Sequence, residues 1–143
     1  MDDLDTLSAD AMGRSLRGIG LNLLTRDVPA LACFLRDVFD ATTHQESTDF
    51  AAVQHGGMVL QLHSHRTFAA HPLHGFLPEG TTAGAGVQIY LYGADPDTCV
   101  ARAESVGAMV LEPPRDKPHG LREATILSDE GFAFTAAAPL AEG

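Results

Sequence analysis

Three of the chain's seven histidines fall within one stretch of eleven residues, HGGMVLQLHSH, at positions 55–65. Imidazole is a common metal ligand and is suited to proton transfer near neutral pH. After its two glycines the stretch alternates apolar and polar residues, which predicts a β-strand. On such a strand Gln61, His63 and His65 share one face, because alternate side chains point the same way. This face therefore offers an amide and two imidazoles, which bind a metal only if further ligands join them.

Two interpretations of this face stay open. A divalent metal would be held by His63 and His65, and His55 is the candidate for a third ligand. The alternative is a strand edge with partly exposed histidines, because short motifs of this kind often occur by chance. We favour the strand edge and keep the metal site as the second interpretation.

Composition narrows the class of protein. With 143 residues, 45% of them hydrophobic, the chain can form one well-buried core but not two large independent domains. Nineteen acidic against nine basic residues give a formal charge of −10. We therefore expect no nucleic-acid or membrane-surface partner, since both are anionic, whereas a cationic ligand would suit this charge.

The compartment is inferred from what the sequence lacks. The first seventeen residues carry acids without an apolar run, and no later stretch approaches the roughly 20 apolar residues of a membrane span. Cys33 and Cys99 fall within helical patterns, so we expect small buried hydrophobes of a reducing compartment. A cytoplasmic protein is the prediction.

The same order of elements occurs twice along the chain. GIGLNLLT predicts a strand, Asp27 a helix N-cap, and VPALACFLRDVFD an amphipathic helix, after which three strand-sized pieces follow. Beyond a connector, VQIYLYGA, the cap Asp95 and a helix closed by Gly107 begin a second copy with three further strands. Asp95 lies 68 residues after Asp27. The pattern predicts an α+β fold of two βαβββ modules in one domain.

The segments LNLLTRDVPALACFLRDVFD and VQIYLYGADPDTCVARAESVGA resemble the vicinal oxygen chelate superfamily of glyoxalase I, bleomycin-resistance proteins and extradiol dioxygenases. A closing segment with the turn Ser128-Asp129-Glu130-Gly131 adds to the likeness, which covers roughly residues 18–137. It implies curved mixed or antiparallel sheets, a glyoxalase-like concave groove and pairing into a homodimer. The expected divisions are an N-terminal extension (1–17), a first module (18–70), a connector (71–86), a second module (87–138) and a tail (139–143).

The resemblance also implies where a metal would lie. Metal-dependent members commonly carry His or Gln, Glu, His and Glu at four strand positions, which fall here on Gly20, Gln61, Gln88 and Thr135. Two amides, a hydroxyl and a glycine provide little charge neutralisation for a divalent cation. We therefore predict no metal at these positions and no other cofactor.

The predicted ligand-binding residues lie on the groove faces of the strands, with one arginine at the cavity mouth. They are Gln61, His63, Gln88, Tyr90, Thr135 and Arg122. Gln88, Tyr90 and Tyr92 share a face of their strand, and ordinary sheet packing is an equal alternative for them. For Arg122 an ion pair with one of the many acids is favoured. His119 is grouped with Arg122, whereas His71 and His74 are expected in a surface loop.

Three functions follow from this sequence, in order of preference. The first is a metal-free small-molecule-binding protein of the bleomycin-resistance type. The second is a lyase, isomerase or dioxygenase that uses a non-standard metal or a histidine as acid and base. The third is a partner-binding accessory module, which would show as an occluded groove. The acidic start MDDLDTLSAD is expected to be a solvated helix start or a frayed terminus.

Overall fold

The structure is a computed structural model that describes residues 4–142. The chain divides into two compact units. The first comprises the described residues up to Cys33 together with Ala41–Leu77, and the second comprises Phe34–Asp40 together with the residues from Pro78 onward. Within residues 4–142, each unit contains one four-stranded sheet.

The first unit begins with a short helix and then follows the predicted βαβββ order. Its elements are α1 (Ala9–Ser15), β1 (Asn22–Thr25), the first half of α2 (Val28–Phe39), β2 (Thr42–His44), β3 (Phe50–His55) and β4 (Met58–Ser64). The residues of α2 from Phe34 onward belong to the second unit. The strand order is β1-β4-β3-β2. Strand β1 is parallel to β4, and the other pairs are antiparallel.

The second unit repeats this arrangement. Its elements are β5 (Gln88–Tyr92), α3 (Pro96–Ser105), β6 (Met109–Asp116), β7 (Leu121–Leu127) and β8 (Ala133–Pro139). The order β5-β8-β7-β6 is that of the first sheet, again with its first two strands parallel. The predicted α+β fold of two βαβββ modules is thus confirmed.

Both predicted helix caps are formed. The Asp27 carboxylate accepts a hydrogen bond from the backbone N–H of Ala30 at 3.0 Å, and that of Asp95 accepts from Thr98 at 2.9 Å. A side chain that bonds a free N–H of the first turn fixes where a helix begins. After α3, Gly107 adopts a φ of +73°, as expected of a helix-ending glycine.

One face of each sheet is apolar and buried, and the other carries polar side chains, several of which are also buried in the second sheet. In the first sheet Leu23, Ala51 and Leu62 are buried, whereas Asn22 is exposed and His63 is half-buried. In the second sheet the buried residues include Ala124, Ile126, Phe134 and Ala136. This period of two confirms the predicted shared face of Gln61 and His63 on β4.

Several sequence-based expectations need correction. His65 lies outside β4, because the strand ends at Ser64 and a short 3₁₀ helix covers His65–Phe68. A second 3₁₀ helix at Pro72–Phe76 occupies part of the predicted connector. Cys33 is exposed, although Cys99 is buried as expected and burial raises the pKa of its thiol to about 11.

The N-terminal extension is more ordered than a frayed terminus. The Ser8 hydroxyl caps α1 by accepting from the backbone N–H of Ala11 at 3.0 Å. Leu4 and Met12 are buried against Ala52 of β3. Met1–Asp3, which belong to the acidic start, lie outside the described residues. The described part is therefore a capped helix with an apolar side that packs on the first sheet.

The segment before β5 is joined to the turn between β7 and β8. Within that turn, the N–H of Gly131 donates to the carbonyl of Ser128 at 2.9 Å, and Glu130 accepts from Ala83. A Cβ on Gly131 would lie 1.9 Å from the carbonyl oxygen of Thr81. Glycine is required here both by this close approach and by a φ of +89°.

In residues 4–142, no helix combines the length and apolar composition that crossing a bilayer requires.

Candidate ligand-binding site

Polar side chains of the second unit gather on one face of its sheet. The register pairs Tyr90 with Thr135 and Thr125 with Thr135, so these three side chains share a face. Alternation places Gln88 and Glu123 on the same face, and the loop before β7 adds His119. We call this group the second-sheet polar cluster, and its members are Gln88, Tyr90, His119, Glu123, Thr125 and Thr135.

One half of the cluster is a chain of neutral groups. The Gln88 amide donates to the hydroxyl of Thr135 at 2.7 Å, and that hydroxyl lies 2.7 Å from the hydroxyl of Thr125. Thr135 is fully buried, whereas Gln88 is exposed. This series of hydrogen bonds therefore connects a surface amide to buried hydroxyls, which satisfy each other's hydrogen-bonding capacity.

The other half is built around a buried carboxylate. Glu123 is only 4% exposed. One of its oxygens accepts from the Tyr90 hydroxyl at 3.1 Å, and the other lies 2.6 Å from Nε2 of His119. Partial burial, and then this carboxylate, raise the pKa of Tyr90 because both disfavour the phenolate. The result is a carboxylate beneath a phenol and a half-exposed imidazole.

An aromatic surface adjoins this carboxylate. The rings of Tyr90 and Tyr92 stack with centroids 5.2 Å apart and planes 13° apart. Tyr92 is 62% exposed, so a ring face is available to solvent. Aromatic faces attract cations through the quadrupole of the ring.

Arg122 does not join the cluster. It neighbours Glu123 on β7 and so points to the opposite face. Its guanidinium binds both carboxylate oxygens of Asp97, at 2.8 and 3.0 Å, and one of Asp116 at 2.8 Å. These two carboxylates raise the pKa of Arg122 further above its usual range. The geometry favours the ion-pair alternative over the predicted grip on an anionic ligand.

The residues at the metal positions implied by the resemblance do not suit a divalent cation. The Gln88 and Thr135 side chains are hydrogen-bonded to each other. In the first unit, Gly20 contributes no side chain and Gln61 contributes a neutral amide. A divalent ion prefers carboxylate or imidazole ligands to such a set.

The alternative metal site at His63 and His65 also lacks a third ligand. His55 pairs with Met58 at one end of the β3–β4 hairpin, and His63 pairs with Phe50 at the other. Five strand steps, roughly 16 Å, separate the two histidines. In the part of the chain that the structure describes, no three His, Cys, Asp or Glu side chains come together as metal ligands would.

His63 instead lies in an aromatic and amide environment. Its Nδ1 is 2.6 Å from Oδ1 of Asn22, and its ring contacts Phe50 and Phe68 edge to face. Burial lowers the pKa of this imidazole. With Gln61, which precedes it on the same face, His63 belongs to the first unit, whereas Gln88, Tyr90 and Thr135 belong to the second.

An open cavity of about 370 Å³ lies on the first sheet, bordered by the N-terminal extension and the residues that lead into β1. We call it the first-sheet cavity. Its lining is Leu4, Leu7, Ser15, Leu16, Arg17, Ile19, Gly20, Leu21, Gly57, Met58, Val59 and Gln61. The extension thus covers part of this sheet face but leaves a space beneath it.

Sequence reasoning missed Glu123 and the first-sheet cavity. A glutamate within the strand LREATIL, in phase with Thr125, was the available signal for Glu123. For the second, the signal was the set of leucines and Met12 within an otherwise acidic start.

No family profile and no curated protein matches this sequence. Solved structures do match. A glyoxalase/bleomycin resistance protein/dioxygenase family enzyme from Burkholderia phytofirmans PsJN is 21% identical, with a TM-score of 0.71 over 85% of this chain and 97% of that one. A glyoxalase/bleomycin resistance protein/dioxygenase from Nocardioides is 22% identical, with a TM-score of 0.64 over 92% of this chain and 91% of that one.

The fosfomycin resistance protein FosX from Mesorhizobium loti is also similar. It is 16% identical, with a TM-score of 0.61 over 87% of this chain and 94% of the other. At these identities the likeness shows the fold alone. The chain therefore has the glyoxalase-like fold shared by these proteins, which is the fold of the vicinal oxygen chelate superfamily.

Proposed function

We propose that this protein binds a cationic small molecule carrying a ring, at the second-sheet polar cluster and without a resident metal. The observation that carries this proposal is the buried carboxylate of Glu123 beside the stacked rings of Tyr90 and Tyr92. A carboxylate and an aromatic face together attract an ammonium or guanidinium group. The formal charge of −10 adds a long-range attraction for a cationic ligand.

The neutral half of the cluster supports binding without metal chemistry. Gln88 is exposed, and its amide nitrogen is held by Thr135. Such an amide orients a ligand by hydrogen bonding but supplies no charge to a metal ion. Among proteins of this fold, some are named for resistance to bleomycin, and sequestration of a small molecule is the activity proposed here.

The His119–Glu123 contact favours a second candidate, an enzyme that transfers a proton. A carboxylate 2.6 Å from one ring nitrogen orients the imidazole, and the side chain is half-exposed to solvent. This arrangement is that of a general base supported by a carboxylate. It would suit a lyase or isomerase, and conversion of a bound ligand would distinguish it from sequestration.

A thermal-shift screen tests the proposed function. The library pairs cationic, ring-bearing metabolites and antibiotics with neutral analogues of the same skeleton, because ligands that bind the native state raise its melting temperature. We expect hits among the cations. Their stabilisation should fall in Glu123→Gln and Gln88→Ala, and remain in His74→Ala, which changes a residue outside the cluster.

Two outcomes contradict this proposal. Neutral analogues that bind as well as the cations would remove the role of the carboxylate. A hit that is insensitive to Glu123→Gln, Gln88→Ala and Tyr90→Phe would lie at another site.

We also propose that the protein acts as a cytoplasmic homodimer. The support is a set of exposed apolar side chains, which a second copy would cover. In the second unit these include Val87, Val106, Met109 and Leu111.

A further inference from the structure

We infer that the first-sheet cavity is a second binding site, which takes an apolar monocarboxylate. Its apolar walls would hold the tail and Arg17 would hold the carboxylate. The site lies wholly in the first unit. No residue of the cavity lining belongs to the second-sheet polar cluster, so the two proposals are tested with different variants and different ligands.

The N-terminal extension, which borders the cavity, is anchored to the first unit near its start. The Asp5 carboxylate accepts from the backbone N–H of Gln45 at 2.9 Å and contacts the His44 ring at 3.0 Å. The Gln45 amide donates to the backbone carbonyls of Leu4 and Leu7. The start of the extension is thus fixed over β2 and β3, and the chain beyond α1 must cross the sheet to reach β1.

That crossing creates the space. The residues between α1 and β1 form no regular structure, and they line the cavity opposite Met58 and Val59. Ile19 is 87% exposed and Met58 is 65% exposed. Large apolar side chains that line a cavity and remain exposed to solvent are typical of a surface that a bound ligand would bury.

The lining defines the chemistry of the ligand. Seven of its twelve residues are large and apolar, and two are glycines. The polar side chains of the lining are those of Ser15, Arg17 and Gln61. The Ser15 hydroxyl already donates to the carbonyl of Met12 at 2.6 Å. Gln61 and Arg17 are therefore the groups that would meet a polar part of the ligand.

Arg17 selects an anion. Its Nη1 donates to the carbonyls of Arg14 and Leu16 at 2.7 and 2.8 Å. These neutral acceptors orient the guanidinium without neutralising it, and its Nε and Nη2 groups are not used in these bonds. A guanidinium with two adjacent donors matches the two oxygens of a carboxylate. Arg17 is the one cationic side chain of the cavity lining, so it can neutralise a single negative charge on a ligand. A second negative charge would be repelled by the protein's formal charge of −10, which favours a monoanion over a dianion.

The size of the cavity limits the tail. At about 370 Å³ it lies near the lower end of the range of about 300 to 1,000 Å³ for small-molecule pockets. A medium-length fatty acid is of the right class, so decanoate is a suitable probe. Decanol and decylamine share its tail and replace the carboxylate with a neutral or a cationic group.

Isothermal titration calorimetry with these three probes tests the inference. We expect decanoate to bind the native protein at least about tenfold more tightly than decanol, because a bidentate ion pair adds to burial of the tail. Arg17→Gln should remove this preference and leave decanol binding unchanged. Arg14→Gln is the matched control, because Arg14 pairs with Asp10 and does not line the cavity.

A second variant fills the cavity. A Cβ on Gly57 would contact nothing within 4 Å, so Gly57→Leu should be accommodated and should place its side chain in the cavity. We expect it to abolish decanoate binding while circular dichroism shows the fold intact.

Three results would overturn the inference. They are the absence of decanoate binding to the native protein, equal binding by Arg17→Gln, and binding that survives Gly57→Leu in folded protein. Failure here leaves the proposed function standing, because that proposal depends on Glu123 and a cationic ligand.

Discussion

The side-chain amide of Gln88 donates a hydrogen bond to the hydroxyl of Thr135 across β5 and β8, at 2.7 Å. By the resemblance to the vicinal oxygen chelate superfamily, these are two of the positions at which metal-dependent members hold their ion. In this protein the two side chains bind each other, and the neighbouring Thr125 extends the contact.

This pairing predicts that the purified protein carries no stoichiometric transition metal. Neutral amide and hydroxyl oxygens are weak ligands for such ions. Elemental analysis by mass spectrometry after dialysis should find far less than one equivalent of zinc, nickel, manganese or iron. Near one equivalent of any of them would contradict the prediction, and its loss in His63→Ala would place it on the first sheet.

Thr135→Val should destabilise the protein. Valine has nearly the same shape but removes the hydroxyl that accepts from Gln88 and contacts the buried Thr125. Leaving a buried polar group without its partner costs about 1 to 3 kcal/mol. Urea denaturation should show this loss in the free energy of unfolding, whereas Thr82→Val, at an exposed position, should change it little. An unchanged stability in Thr135→Val would mean that the hydroxyl chain contributes nothing net.

His63 should make stability depend on pH in the mildly acidic range. Because its folded-state pKa is below the ordinary 6.5, the unfolded chain binds the proton more readily. Stability should therefore fall as the pH drops from about 6.5 towards the folded-state pKa. His63→Gln should flatten that decline, and His74→Gln should not. A ring that titrates at or above 6.5 by NMR would refute the assignment.

Asp5 should hold the N-terminal extension in place. The Gln45 backbone N–H, and then the His44 ring, lower the pKa of this carboxyl below its usual 3.8. Its stabilising contribution is thus complete above that value and is lost as the pH falls through the lowered pKa. Asp5→Asn should speed amide hydrogen exchange in α1 at neutral pH, relative to Asp10→Asn. Equal protection in both variants would show that the contacts of Asp5 are not needed to fix the extension.

The homodimer is tested by sedimentation. Apolar side chains that are exposed in the single chain, such as Met109 and Leu111 on the edge strand β6, favour association. At micromolar concentration we expect a species of twice the 15.1 kDa chain mass. A species near the chain mass across that range would count against it.

The parts of the fold that the sequence predicted are those governed by local contacts. Asp27 and Asp95 cap helices through bonds to residues three positions away, so they are visible in the sequence. Glu123 was missed because its burial depends on Tyr90, 33 residues earlier in the chain. A single glutamate in a strand is usually exposed, and only the paired sheet reveals otherwise.

The N-terminal extension illustrates the same limit. Its many acids predicted solvation, whereas Leu4 and Met12 pack against Ala52, which lies far away in the sequence. Arg122 is the opposite case, since the sequence favoured an ion pair. Of the two acids that bind it, Asp97 is brought there by the packing of α3 against β7 and Asp116 by the pairing of β6 with β7. Charge alone therefore predicted the kind of partner but not which residues meet.

The close approach of Thr81 to Gly131 also limits how related sequences can diverge. Any side chain at position 131 would collide with the Thr81 carbonyl, so a change of residue there must be accompanied by rerouting of the chain before β5. Insertions or deletions at 81–84 would in turn displace the bond between Ala83 and Glu130. Homologues that lack this glycine are thus expected to differ in length before β5, which makes residue 131 a marker for aligning distant sequences.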